Sequence, residues 1–183
     1  YLNFIDTANE YLPQALKDQG LKIHGSNLCN EIHLPTNDDR TAVCCLSSLN
    51  LELYEEWKDT NIIEDLITML DNVLEYFIWN APDAISRARY SAARERSIGL
   101  GAMGFHSLLQ SQGVAWESDL AREINEVVFA TIKDRALKQS KSLAKTRGEY
   151  LDGEGTGDRN SHLLAIAPNA SSGIILSTSP SIE

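Results

Sequence analysis

From Asn61 to Trp79, apolar residues recur at spacings of three and four: Ile62, Ile63, Leu66, Leu70, Val73, Leu74, Phe77 and Ile78. That period lays one face of a helix against a core, and Pro82 falls just past its end. A longer helix is predicted from Ser118, a suitable N-cap, to about Arg147, with Gly148 as its stop. Its buried stripe should include Leu120, Ile124, Val127, Val128, Ile132, Leu137 and Leu143. Tyr1 to Ile5 is a short apolar run that suits a strand, and Asp6 to Gln19 reads as a weak helix or loop. Thr41 to Leu53 is short, apolar and cysteine-rich, so burial is expected; His162 to Ala167 fits a buried strand. Ala84 to Arg96 is mixed and basic, and Ser97 to Gly113 alternates small and apolar residues. Pro35 to Asp39 and Gly153 to Asn160 carry loop chemistry. Short strands alternating with long helices predict an α/β fold.

Composition narrows the partners. The 183 residues suffice for one domain with a sizeable core. A net charge of -10 argues against a broad nucleic-acid-binding face, which needs a basic patch. It does not forbid a small phosphate site built from backbone amides. No apolar run approaches the roughly 18–20 residues that span a bilayer as a helix. The three cysteines, two of them adjacent, do not make a secreted disulfide framework, so a cytoplasmic setting is expected. The chain opens on an apolar run without an initiator Met and closes on Ser179-Pro180-Ser181-Ile182-Glu183, which reads as an internal piece, residues 1–183, of a longer protein.

The candidate chemistry begins at Asn27-Leu28-Cys29-Asn30-Glu31. In an extended segment Asn27, Cys29 and Glu31 share one face, which then offers an amide, a thiol and a base. The plainer reading is a buried cysteine in a half-polar strand. Cys29 and Cys44 flank a turn, so the two thiols can approach, although a disulfide needs Cα atoms about 4.4–6.8 Å apart. His24, Cys29, His33, Cys44 and Cys45 are possible zinc ligands, but the close Cys-x-x-Cys pair typical of structural zinc is absent. His33 reads as a surface or supporting residue, His106 and His162 as hydrogen-bonded core or edge residues. Gly99-Leu100-Gly101-Ala102-Met103-Gly104 matches a dinucleotide pattern, yet the stretch before it is polar and basic where a strand is required. Close packing of a helix and a strand explains those glycines better. Pro168-Asn169-Ala170-Ser171-Ser172-Gly173 follows an apolar run and offers backbone N–H groups and two hydroxyls. It suits either an anion site at a helix start or a simple capped turn.

Together these segments resemble the large, catalytic subunit of class I ribonucleotide reductase. The resemblance rests on Ser26 to Ile32 with Leu34-Pro35-Thr36, Ala42 to Leu51, Arg96 to Gly101, Arg159-Asn160-Ser161 with Ala167 to Ser172, and Ser179 to Glu183, in that order and over nearly the whole chain. It implies part of a ten-stranded α/β barrel with the radical cysteine on an inner finger loop. Cys29 would be the thiyl radical that takes a hydrogen atom from the ribose, Glu31 the general base, and Asn27 the residue that holds the sugar. Cys44 would be one of two reducing thiols, with Cys45 as the fallback and the second thiol upstream of Tyr1. Pro168, Asn169, Ala170, Ser171 and Ser172 would cradle the diphosphate of the substrate. The resemblance further implies a separate, metal-containing small subunit as radical source, thioredoxin or glutaredoxin as reductant, and a homodimer of large subunits. It places no metal or cofactor in this segment, puts the allosteric nucleotide sites outside it, and leaves the piece alone inactive. The coenzyme B12-dependent class is the nearest alternative, although Leu28 stands where that class resembles Asn-Pro-Cys. A noncatalytic scaffold and a zinc-binding module are the others.

Overall fold

A computed structural model describes residues 2–182. Two short helices, α1 (Ile5–Glu10) and α2 (Gln14–Asp18), precede a long loop. Strand β1 (Cys45–Asn50) follows, then α3 (Tyr54–Trp57), α4 (Ile62–Asn80) and α5 (Ser86–Glu95). Strand β2 (Ile98–Met103), α6 (Phe105–Ser111), α7 (Asp119–Arg147) and α8 (Ala170–Leu176) complete the order. The strand expected over Tyr1 to Ile5 is not formed: residues 2–4 have no regular structure and a helix starts at Ile5, while Tyr1 lies outside the described residues.

The two long helices match their patterns. Extended backbone at Ala81 and then Pro82 end α4. Ser118 Oγ accepts the Ala121 N–H at 3.1 Å to cap α7, and Gly148, at φ 86°, stops it. The buried stripes are shifted, however. Ile67 and Asp71 are buried on α4, whereas Val73 is exposed; Leu120 and Val127 of α7 are exposed too. The basic stretch from Ala84 is mostly helix α5, and the small-residue stretch from Ser97 divides into β2 and α6.

Strands β1 and β2 pair in parallel, from Cys45 opposite Ile98 to Asn50 opposite Met103. The connection from one to the other runs through α3, α4 and α5, as a parallel crossover requires. Residues 162–165 lie along the far side of β2. Ile98 N donates to His162 O at 3.1 Å, Leu100 N to Leu163 O at 2.8 Å, and Ala165 N to Leu100 O at 3.2 Å. This segment is half-exposed and makes a single parallel bridge, Leu100 to Leu164, so the buried strand expected there is only partly realised. Gly99 and Gly101 permit its close approach. A Cβ on Gly101 would overlap the Ala165 carbonyl, and one on Gly99 would sit 2.9 Å from Ala165 Cβ. The glycines thus serve strand-to-strand packing inside β2, not a strand-to-helix phosphate turn.

The main core lies between this sheet and the helices, with Leu49, Ile63, Ile67, Leu70, Leu74, Ile98, Leu100 and Ile132 among its members. Charged groups are buried beside it. Asp71 receives Arg96 at 2.8 Å, Arg147 at 2.9 Å and Arg159 at 3.3 Å, which ties α4 to the start of β2, the end of α7 and the following loop. A second cluster joins Arg40 to Glu95 at 2.8 Å and to Asp152 at 2.6 Å. Burial pushes the Glu95 carboxyl up to about 7, against the pull of Arg40 and with further upward pressure from Asp152. Arg40 therefore anchors the far end of the long loop to α5 and to the turn at Asp152.

Candidate active site

The long loop is a narrow excursion whose two sides are stitched together. Asn9 fixes its start, donating to Ile23 O and accepting from Ile23 N, both at 2.8 Å. Thr36 N donates to Lys22 O at 3.3 Å, and Ser26 Oγ to Ile32 O at 2.7 Å. Residues 27–31 form the tip. They are not extended: Asn30 N donates to Asn27 O at 3.1 Å, and Asn30 sits in the left-handed region at φ 63°. Asn tolerates that conformation, because its short polar side chain bonds locally. The strict alternation that would set Asn27, Cys29 and Glu31 on one strand face is therefore replaced by a turn.

The turn sorts the three side chains. Asn27 uses its amide oxygen to accept Ile32 N at 3.1 Å, which closes the tip and leaves its Nδ2 free to donate. Cys29 is exposed at the apex. Glu31 is half-buried, and its Oε2 is buried without a hydrogen-bond partner among the described residues.

Cys44 and Cys45 part company at the start of β1. Cys45 packs against the main core, whereas Cys44, Leu46 and Ser48 alternate onto the other face. Cys44 lines a cleft of about 580 Å³ together with Asn27, Ser26 and Leu46. Its thiol is pushed up to about 12 by burial, with Cys45 and the Glu31 carboxylate adding to the rise. Glu31 is thus close enough to Cys44 to act on it electrostatically. All three cysteines are free, so the Cys29–Cys44 bond is not formed. The residues considered as possible zinc ligands do not gather: among the described residues, no group of three or more His, Cys, Asp or Glu side chains is arranged to hold a metal.

A second cleft, of about 410 Å³, adjoins the first at Leu46. Ser47, Ser48, Ala167, Asn169 and Ser172 line it. A helix does begin here, as the anion reading required: α8 starts at Ala170, after Asn169 at φ 54°. Pro168, Ala170 and Ser171 are exposed. Arg159 and Asn160 are not part of this turn; both are buried on Asp71. His162 bonds Ser97 and Ser161, and burial pushes it down to about 4, which keeps it neutral at ordinary pH. His33 bonds Asn3 at 3.3 Å, and His106 packs edge-on against Trp116.

The structure therefore brings Asn27 and Cys44 to one cleft, and Asn169 with Ser172 to its neighbour; Glu31, on the same tip, lines neither but acts on the Cys44 thiol. Cys29 rides on the same tip but does not line either one. Leu46 and Ser48 were missed in the sequence. Their signal was the period-two series Cys44, Leu46, Ser48, which shows only once the strand is known to start there.

These features define a piece of an α/β barrel in which one thiol sits exposed on a projecting loop and another, just before a strand, lines a cleft. The family model described as ribonucleotide reductase, barrel domain, matches residues 1–155. A chain named as a ribonucleoside-diphosphate reductase large subunit in Frog virus 3 (isolate Goorha) is 56% identical over 186 residues, covering 100% of this chain and 33% of its own length. The ribonucleoside-diphosphate reductase large subunit of Invertebrate iridescent virus 3 is 51% identical over 185 residues, covering 100% of this chain and 29% of its own. The solved Actinobacillus ureae class Id ribonucleotide reductase alpha subunit superposes with a TM-score of 0.95 at 44% identity, over 100% of this chain and 36% of that one. The chain belongs to the ribonucleotide reductase family and forms part of its barrel domain. It spans about a third of the length of these relatives.

Proposed function

We propose that this chain is the ribose-holding part of a class I ribonucleoside-diphosphate reductase large subunit. The whole subunit would reduce ribonucleoside diphosphates to deoxyribonucleoside diphosphates. The observation that carries the proposal is that Asn27 and Cys44 line one cleft, while Glu31 on the same tip acts on the Cys44 thiol and keeps a buried oxygen with no hydrogen-bond partner among the described residues.

The chemistry follows from the states of these groups. A thiol raised to about 12 stays protonated at neutral pH, so Cys44 is a hydrogen donor rather than a thiolate nucleophile. Glu31 would offer its unpartnered oxygen to a ribose hydroxyl as the general base. Asn27 Nδ2 remains free to hold the sugar. Cys29, at the apex of a stitched loop, is placed to be presented to a substrate seated between tip and strand. In the net reaction two thiols become a disulfide and the ribose hydroxyl leaves as water. Cys44 would be one of those thiols; the other would belong to the rest of the subunit. Asn169 to Ser172 would take the diphosphate.

A thiyl radical at Cys29 needs a source outside this chain, and a separate radical-generating small subunit fits the class I reading. Leu28, where the B12 class resembles proline, and the likeness to a class Id alpha subunit support that class. Thioredoxin or glutaredoxin would regenerate the dithiol, pairing of large subunits into a homodimer would follow the family, and cytoplasmic work suits free thiols. Among the described residues no helix is long and apolar enough to cross a membrane.

Exchange of the two adjacent cysteines tests the proposal. In the full-length enzyme with its small subunit, Cys44→Ser is expected to lower sustained turnover by about 100-fold or more, because the reducing thiol is lost. Cys45→Ser, on the core side, should stay within about threefold. Turnover that survives Cys44→Ser and fails in Cys45→Ser contradicts the assignment.

A further inference from the structure

We propose that Ser48 is a positioning residue: acting through Asn169, it holds the phosphate-binding turn at a fixed span from the Cys44 thiol. This rests on the reading of Asn169 to Ser172 as the diphosphate cradle. Ser48 itself is given no contact with the reacting atoms.

The geometry is a chain of short links. Ser48 Oγ donates to Asn169 Oδ1 at 3.1 Å. Asn169 Nδ2 donates to Ala167 O at 2.9 Å and to Ala102 O of β2 at 3.3 Å. Every polar atom of that amide is thus engaged, and its two strand partners are β1 and β2. The engagement matters because Asn169 sits at φ 54°, a conformation that side chains rarely adopt without local support. From there Asn169 O accepts Gly173 N at 2.7 Å, which opens α8. The far end of α8 is pinned separately. Ser179 N donates to Ser107 Oγ at 2.9 Å, Ser107 N to Ser179 Oγ at 3.1 Å, and Gly104 N to Ser179 O at 2.8 Å. The pin at Ser179 sets where α8 lies. The tie at Ser48 sets where its first turn points.

Strand β1 is the ruler between the two chemical ends. Cys44 and Ser48 are four residues apart on one face, a rise of roughly 13 Å. Leu46, between them, lines both clefts. Gly101 pairs with Ser48 across the sheet, and a Cβ there would sit 3.3 Å from Ser48 Oγ, so the bare glycine leaves the hydroxyl its room. A ligand that touches Cys44 with its sugar and Ser172 with its terminal phosphate reads this span directly. Loosening the tie should weaken phosphate capture without altering the groups that do chemistry.

Steady-state kinetics of the full-length large subunit with its small subunit, on a ribonucleoside diphosphate, test this. Ser48→Ala is expected to raise KM about tenfold with kcat within about twofold, the effect of one lost hydrogen bond. Ser48→Thr keeps the hydroxyl and should hold KM within about threefold of the parent. An unchanged KM in Ser48→Ala, or a fall in kcat alone, overturns the inference. If Ser172→Ala still raises KM in that case, only the positioning role falls. If Ser172→Ala leaves KM unchanged as well, the cradle assignment falls with it.

Discussion

Replacement of Cys29 by alanine is expected to abolish nucleotide reduction by the full-length enzyme, by about four orders of magnitude or more, while nucleotide affinity stays within a few-fold of the parent. The reason lies in how the tip is built. Cys29 is exposed at the apex, and the bonds that shape the turn belong to its neighbours: Asn30 N to Asn27 O, Asn27 Oδ1 to Ile32 N, and Ser26 Oγ to Ile32 O. Removing the sulfur leaves all three in place. Alanine also fits the backbone there, since the left-handed residue is Asn30. The change therefore removes one reactive atom and little else, which separates chemistry from binding and from folding. Binding is read by equilibrium titration with a ribonucleoside diphosphate, and rate by product formation. Multiple turnover in Cys29→Ala removes the radical assignment. A large loss of affinity at a preserved rate shows instead that the residue shapes the site.

Asp71→Asn is expected to be the most damaging substitution away from the site. The Asp71 carboxylate is fully buried and meets three guanidiniums, and Asn160 Nδ2 donates to it at 3.2 Å. Glu75 answers only part of the remaining positive charge, through Arg96 at 2.7 Å and Arg159 at 3.4 Å. An amide keeps the volume but leaves buried cations short of their counter-ion. Breaking such a pair from one side typically costs about 3–5 kcal/mol, far more than the intact pair contributes against an apolar replacement. Denaturant unfolding of the parent and the variant gives the difference. The sign with pH follows from the same contacts. Burial alone raises the Asp71 carboxyl, but Arg96, Arg159 and Arg147 outweigh it and hold it below the ordinary carboxylate range. A lowered folded-state value means the contribution is present above the unfolded value near 3.8 and is lost as pH falls below it. The gap between parent and variant should therefore be widest near neutrality and close at acid pH. A variant as stable as the parent at neutral pH contradicts this account of the cluster.

Sequence patterning shows the helices more readily than the loops, for physical reasons visible in single residues. Ile63, Leu70 and Leu74 on α4 and the Ser118 cap on α7 follow from a 3.6-residue period and a local side-chain bond, both contained within the helix itself. Asp71 does not. A carboxylate on the buried face breaks the pattern, and only Arg96, Arg147 and Arg159, brought from distant parts of the chain, explain it. The tip at residues 27–31 was legible as chemistry but not as shape. Its residue types pointed to an amide, a thiol and a base, yet period two implied a strand, and the left-handed turn at Asn30 leaves no periodic trace. Glycines 99 and 101 were correctly separated from a dinucleotide loop, while their true partner, the backbone at Ala165, is a long-range neighbour. The family resemblance already put Cys44 ahead of Cys45, and β1 adds the physical difference that Cys44 faces the cleft while Cys45 packs on the core.

The most direct measurement is the thiol state of the cysteines across one turnover. The pre-reduced full-length enzyme, with its small subunit and no external reductant, is mixed with a ribonucleoside diphosphate, quenched in denaturant with an alkylating agent, and mapped by mass spectrometry. The account predicts about one deoxynucleotide per site, with Cys44 passing from alkylatable thiol to disulfide and Cys45 unchanged. Deoxynucleotide formed while Cys44 remains a free thiol contradicts it.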